Sequence, residues 1–309
     1  MPPTPRLFHT PHPRPSRRPR SSRRPRFLPG PDPSCPRRPV RRAAWAVAGV
    51  TGAAAALVLL LPAAGAALQG APSCPEPSRG AACELRTFEV DLPEGRLQVP
   101  DVGSGSVSVE GWDGDRARVQ ARITARSRMG RSAASIAEEV EVEARPGRIE
   151  TSGPDGTFRG GGWTVSYWIQ VPRGTELELE VTNGQIQVRE VGGPVAAVST
   201  NGRLRLDGVD GWVRARTTNG SVDVAFREGG RLGQPADVQA TNGSITLNLP
   251  RDLNANLRAS TVNGSITGNV LTGPSGQRGN REAAATLGAG GPEIALRTTN
   301  GAIRVRMPD

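Results

Sequence analysis

The stretches Val181-Thr-Asn-Gly-Gln-Ile-Gln-Val188, Ser199-Thr-Asn-Gly-Arg-Leu-Arg-Leu206 and Thr217-Thr-Asn-Gly-Ser-Val-Asp-Val224 are one phrase written three times, 18 residues apart. The phrase returns at Asn242, Asn263 and Asn300, after steps of 23, 21 and 37 residues. Each asparagine is followed by a glycine: Gly184, Gly202, Gly220, Gly243, Gly264 and Gly301. A recurring unit of this size marks a repeat architecture. The last step reads as a double step carrying an insertion.

Aligned on their asparagines, the repeats place apolar or small residues two, four and six positions before the turn. These are Val181, Leu179 and Leu177 in the first repeat, and Thr298, Leu296 and Ile294 in the last. Three and five positions after it stand Ile186 and Val188, Leu204 and Leu206, Val222 and Val224, Ile245 and Leu247, and Ile303 and Val305. Polar residues lie between, and only Gly268, after Ile266, breaks the pattern. Such period-two alternation is that of strands with one face in and one face out.

Asn-Gly suits the turn because both residues tolerate positive φ. Two arrangements satisfy the parity. One is an antiparallel hairpin meander or sandwich, with Asn-Gly as a two-residue primed turn. The other is a β-solenoid of parallel coils, about 18 residues each, with the asparagines stacked along one corner. The near-constant step and the repeated residue identity favour the solenoid. A single coil could not stand alone: ordering costs about 1.5 kcal/mol per residue, whereas each inward side chain returns only about 1.5–3 kcal/mol. Neighbouring coils must supply the rest.

Upstream the composition changes. Residues 1–42 hold twelve arginines against the single acid Asp32, with many prolines and no apolar period. This segment is expected to be disordered. It accounts for the whole formal charge of +10, so the high isoelectric point describes a tail. The folded part therefore carries no general basic signal for nucleic acid. Residues 43–68 contain no charge, and residues 43–69 read as a transmembrane anchor or a signal-peptide apolar region. Arg37, Arg38, Arg41 and Arg42 precede the segment and place residues 70–309 outside the cytoplasm. Ala64, Ala66 and Ala67 resemble a peptidase site, and cleavage there would release a secreted protein. Read from Val40, the chain begins as an ordinary signal peptide.

Residues 70–85 form a linker in which Cys74 and Cys83 are candidates for a disulfide, while Cys35 stays inside and reduced. Residues 86–309 form the repeat domain. Ser104-Gly105-Ser-Val-Ser-Val matches the repeat with serine at the corner, so a degenerate early coil is expected. Ala133, Ala134, Ile136, Ala137 and Val140 stand at helical spacing and predict one short helix within 132–140. Segments 226–235 and 272–292 are expected to be loops leaving the stack.

Chemistry is sparse. The only histidines, His9 and His12, lie in the tail, and the chain has no lysine. The repeat domain thus has no histidine for a triad or a zinc site, and no phosphate loop or dinucleotide fingerprint appears. No catalytic residue, metal ligand or cofactor is assigned. Asp207 and Asp210 invite comparison with calcium ligands or a hydrolytic carboxylate pair, but read more simply as loop carboxylates beside Gly208 and Gly211. Trp163, Tyr167 and Trp168 are the densest aromatic group, either a cover for the first coils or a sugar-stacking platform. Outward positions of adjacent coils line up as Gln185, Arg203 and Ser221, and as Gln187, Arg205 and Asp223. Arg205 beside Asp223 is expected to make a weak surface ion pair.

The recurrent phrase resembles that of a bacterial family of β-strand-repeat envelope proteins named for adhesion, whose shared domain has no established function. The resemblance covers roughly residues 86–309. It implies a right-handed single-stranded β-helix behind an anchor or signal peptide, sometimes linked to envelope-stress systems. It carries no catalytic residue. The expectation is a non-enzymatic, adhesin-like binding or scaffolding module, held to a membrane by residues 43–68, with an envelope protein or glycan as ligand. The competing class is a polysaccharide-active lyase or hydrolase on the same fold.

Overall fold

The computed structural model describes residues 73–308, apart from residues 77, 128–129, 155–160, 230–231 and 272–280. The arginine-rich tail and the apolar segment 43–68 lie outside the described residues. Among the described residues no helix is long and apolar enough to cross a membrane.

The described chain is almost entirely strand. It opens with β1 (Ala81–Val90), β2 (Arg96–Val99), β3 (Val107–Trp112) and β4 (Ala117–Arg126). The helix α1 (Ala133–Glu138) follows, then β5 (Glu141–Arg145), β6 (Arg148–Ser152) and β7 (Gly162–Pro172). The repeats supply strands in pairs: β8 (Glu176–Asn183) and β9 (Ile186–Arg189), then β10 (Val195–Asn201) and β11 (Leu204–Val209). Next come β12 (Val213–Asn219) and β13 (Val222–Phe226), β14 (Ala236–Asn242) and β15 (Ile245–Asn248), and β16 (Ala255–Asn263) and β17 (Ile266–Gly268). The chain closes with β18 (Arg281–Leu287), β19 (Glu293–Asn300) and β20 (Ile303–Arg306).

These strands make two ten-stranded sheets. In each repeat the strand before Asn-Gly joins one sheet and the strand after it joins the other. The turn is therefore a corner between sheets, and the hairpin meander is excluded. Successive repeats pair in parallel and in register, Leu177 with Val195 and Val195 with Val213, Leu204 with Ile186 and with Val222. The alternation read from the sequence is what the coils bury. Leu177, Leu179, Val181, Leu204, Leu206, Val222 and Val224 are all at most 1% exposed, inside a narrow core between the sheets. Ile266, on the last strand of its sheet, is only half-buried.

The early coil is β2 and β3. β2 pairs in parallel with β8 and β3 with β9, and Ser104 bridges to Asn183. Beyond it β3 pairs in parallel with β7, and β7, β4 and β1 then pair antiparallel. The second sheet ends in the hairpin β6 and β5. α1 is capped by Ser132, whose Oγ accepts from the Ser135 amide at 3.0 Å, and it buries Ala133, Ile136 and Ala137.

At the other end the order of coils departs from the order of the chain. β14 pairs with β19, and β19 pairs with β16, so the last repeat lies between the fourth and the fifth. The same inversion occurs in the other sheet, where β20 separates β15 from β17. The expected loop over 272–292 is in part a strand, because β18 pairs antiparallel with the outer edge of β16. The long last step thus contains a strand that covers the end of the stack, and the chain then returns to fill the gap left one coil back.

Candidate functional site

The six corners stack in the order 183, 201, 219, 242, 300, 263. The side-chain amide of Asn201 donates to Asn183 Oδ1 at 2.9 Å, Asn219 to Asn201 at 2.9 Å, and Asn242 to Asn219 at 2.9 Å. Asn300 donates to Asn242 at 2.8 Å, and Asn263 to Asn300 at 3.0 Å. A backbone ladder runs the opposite way, the Gly184 amide donating to the Asn201 carbonyl at 3.0 Å and Gly202 to Asn219 at 2.9 Å. Thr217, Thr298 and Thr261 donate their buried hydroxyls to the glycine carbonyl of the adjoining coil. Each asparagine inside the ladder thereby donates one side-chain N–H to one neighbour and accepts one from the other, which ties successive coils into a structural seam.

The reason for glycine differs from the expectation. Among the described residues only Glu94 and Glu190 are non-glycines with positive φ, so none of the asparagines is. Gly202, Gly243, Gly264 and Gly301 also lie outside the left-handed region. What excludes a side chain is the neighbouring coil. A Cβ on Gly202 would stand 1.5 Å from the Gly184 carbonyl oxygen, and at the other five corners the corresponding distance is 1.5–2.0 Å.

Cys74 and Cys83 are bonded, with their Cα atoms 5.7 Å apart. They border an open hollow that reaches Trp163. The aromatic group does not form one platform. Tyr167 is fully buried, shares Thr151 Oγ1 at 2.6 Å, and has its phenol pushed up to about 12, chiefly by burial. Trp163 also packs against the core and donates Nε1 to the Pro154 carbonyl at 3.2 Å. Trp168, with opposite parity, faces outward, and the Arg122 guanidinium lies 5.1 Å from its ring centroid. Period-two alternation separates Trp168 from Tyr167 by construction.

The outer face of the first sheet brings polar side chains into rows across the coils. One row is Gln187, Arg205, Asp223, Thr246, Arg304 and Thr267. The next is Arg189, Asp207, Ala225, Asn248 and Arg306. Ala225 is the one short side chain in its row, and a hollow of about 330 Å³ opens there, walled by Arg205, Asp207, Asp223, Asn248 and Arg306. The ion pairs differ from the expected one: Arg205 meets Asp207 and Arg203 meets Asp223, each at 3.8 Å. Asp210 is elsewhere, 3.8 Å from Arg227, so Asp207 and Asp210 do not form a pair. Asp207 and Asp223 share the hollow instead. Among the described residues no group of three or more His, Cys, Asp or Glu side chains could hold a metal ion. The hollow was recognisable only from the register: a short outward residue amid long ones is a signal once the rows are known.

No curated protein matches the chain. Among solved structures it is similar to a candidate cell adhesion protein from Clostridium sporogenes ATCC 15579, at 13% identity and a TM-score of 0.38, covering 74% of this chain and 100% of that one. It is also similar to a candidate adhesin from Bacteroides fragilis NCTC 9343, at 11% identity and a TM-score of 0.29, covering 73% and 97%. A third is a candidate lipid binding protein from Parabacteroides distasonis ATCC 8503, at 9% identity and a TM-score of 0.30, covering 74% and 97%. Scores of this size support no inference about what the chain binds. The domain of unknown function described as Toastrack DUF4097 matches residues 81–306, from the first strand to the last. The chain belongs to the Toastrack DUF4097 family.

Proposed function

We propose that this chain is a non-enzymatic, adhesin-like binding or scaffolding module of the bacterial cell envelope. Its coils would wind as a right-handed β-helix held outside the cytoplasm by residues 43–68, or released after cleavage there. The observation that carries the reading is the outer face of the first sheet. It runs unbroken over ten hydrogen-bonded strands and presents polar rows at the fixed inter-strand spacing of about 4.8 Å. Such a face suits an extended partner that repeats along its length, and a stack locked by its corners would lose little entropy on binding. The Cys74–Cys83 disulfide suits an oxidising compartment.

One observation favours the second reading, a polysaccharide-active enzyme: Asp207 and Asp223 line the same hollow. Purified full chain incubated with envelope and plant polysaccharides separates the two. The binding module retains a polymer and leaves its length unchanged. Chain cleavage that disappears in Asp207→Asn or Asp223→Asn would replace it with the enzyme.

A further inference from the structure

We infer that the hollow over Ala225 is a subsite for an oxyanion-bearing sugar or polyol unit, one repeat of an anionic envelope-type polymer. This rests on the outer face of the first sheet being the binding face. The four strands β11, β13, β15 and β20 present Arg205, Arg304 and Arg306 outward against only Asp207 and Asp223. The excess is cationic and is concentrated on β20. Arg304 and Arg306 stand two residues apart on one strand, hence on one face, and both are exposed. Neither takes part in any ion pair found among the described residues. Arg306 lines the hollow, as does Arg205, and a planar guanidinium fork matches a carboxylate or a phosphate better than a neutral hydroxyl.

The rest of the hollow supplies what a polyhydroxylated unit needs. Asp207 and Asp223 are bound only through 3.8 Å contacts to Arg205 and Arg203, which are exposed, contribute little, and leave carboxylate oxygens free to accept hydroxyls. Asn248 lies in register between Ala225 and Arg306 and offers both a donor and an acceptor. Arg205 and Arg304 are three strands apart in one row, about 14 Å at ordinary strand spacing. The distance spans more than one sugar and sets the two cationic ends at different units of a chain. No aromatic side chain lines the hollow, and Trp168 is four strands away, so stacking cannot be the main recognition there.

The test is equilibrium binding of full chain, in one detergent, to polygalacturonate, to a glycerol phosphate polymer and to neutral dextran. Variants are Ala225→Gln, which fills the hollow without charge, Arg306→Gln, and Arg258→Gln on the other sheet as control; residues 1–42 contribute equally to all. Each variant is first checked for wild-type strand content and melting. Binding of polygalacturonate or of the glycerol phosphate polymer that falls at least tenfold in Ala225→Gln and in Arg306→Gln, but not in Arg258→Gln, supports the subsite. The polymer that shows it assigns the oxyanion as carboxylate or phosphate. Binding unchanged within twofold in both variants overturns the inference. Dextran weakened as much as the anionic polymers by Ala225→Gln overturns the oxyanion chemistry but leaves the binding face standing. If Trp168→Ala and every hollow variant also leave all polymers unaffected, the binding face itself falls.

Discussion

At the scale of single residues, the corner glycines carry the fold. A turn that needed only positive φ would be relieved by other means, yet Gly202 does not lie in the left-handed region and still admits no Cβ. The obstacle is the Gly184 carbonyl, fixed by its own coil. Gly202→Ala must therefore push two coils apart and lower stability by about 3 kcal/mol, the upper end of ordinary overpacking. Arg203→Val, one residue later, keeps an exposed strand position and should stay within about 0.5 kcal/mol. Urea unfolding of the two full-length variants checks this, and an alanine tolerated at position 202 would contradict the neighbouring carbonyl as the reason for glycine. The identity of the corner residues was legible in the sequence. Their cause was not, because a steric limit imposed by a residue 18 positions away leaves no local mark.

At the scale of elements, one ion cluster ties the inserted last repeat to its neighbours. Asp237 on β14 receives Arg216 of β12 and Arg297 of β19, each at 3.0 Å, and also the Gln239 amide. Partial burial works against its charge, but the bonds from Gln239 and Arg216 and the charges of Arg216 and Arg297 outweigh it. The carboxyl is held below its ordinary value. A depressed folded-state value means that the stabilisation is complete above the unfolded carboxyl range, near pH ~4, and is lost as pH falls through the lowered value. Asp237→Asn should cost about 1–3 kcal/mol at pH 7. The difference from wild type should be flat between pH ~5 and ~8 and shrink only below pH ~4, as read from denaturation midpoints across pH. A difference that instead shrinks on raising the pH above 7 would place the stabilising charge elsewhere. The elements themselves differ in legibility for physical reasons. Strands of the repeats alternate strictly, and α1 has apolar residues at helical spacing. β18, with Ala283, Ala284 and Ala285 in succession, has no period to read and acquires its conformation from β16.

At the scale of the whole molecule, the stack and its order separate what a sequence can and cannot specify. Equal corners and equal alternation imply that the repeats pile up in register, and they do. They say little about which repeat lies on which, because the 263 and 300 coils offer the 242 coil the same asparagine and the same threonine two positions before it, and differ after the corner where Gly268 stands in place of Val305. Connection length distinguishes them as well, and the antiparallel β18 takes up the length that lets the chain return one coil back. The order decides the outer face as well, since it sets Arg306 directly beside Asn248 and completes the hollow over Ala225. Engineered cysteines test that order most directly. In a Cys35→Ser background, Asn242→Cys with Asn300→Cys places two thiols on adjacent strands, about 4.8 Å apart and within disulfide reach. Asn242→Cys with Asn263→Cys places them two strands apart, about 9.6 Å and beyond the roughly 7 Å limit. Peptide mapping under non-reducing conditions, with the native Cys74–Cys83 bridge as internal reference, should find the 242–300 crosslink and no 242–263 crosslink. A 242–263 bridge formed in high yield, with 242–300 absent, would contradict the inserted last coil and with it the arrangement of the binding face.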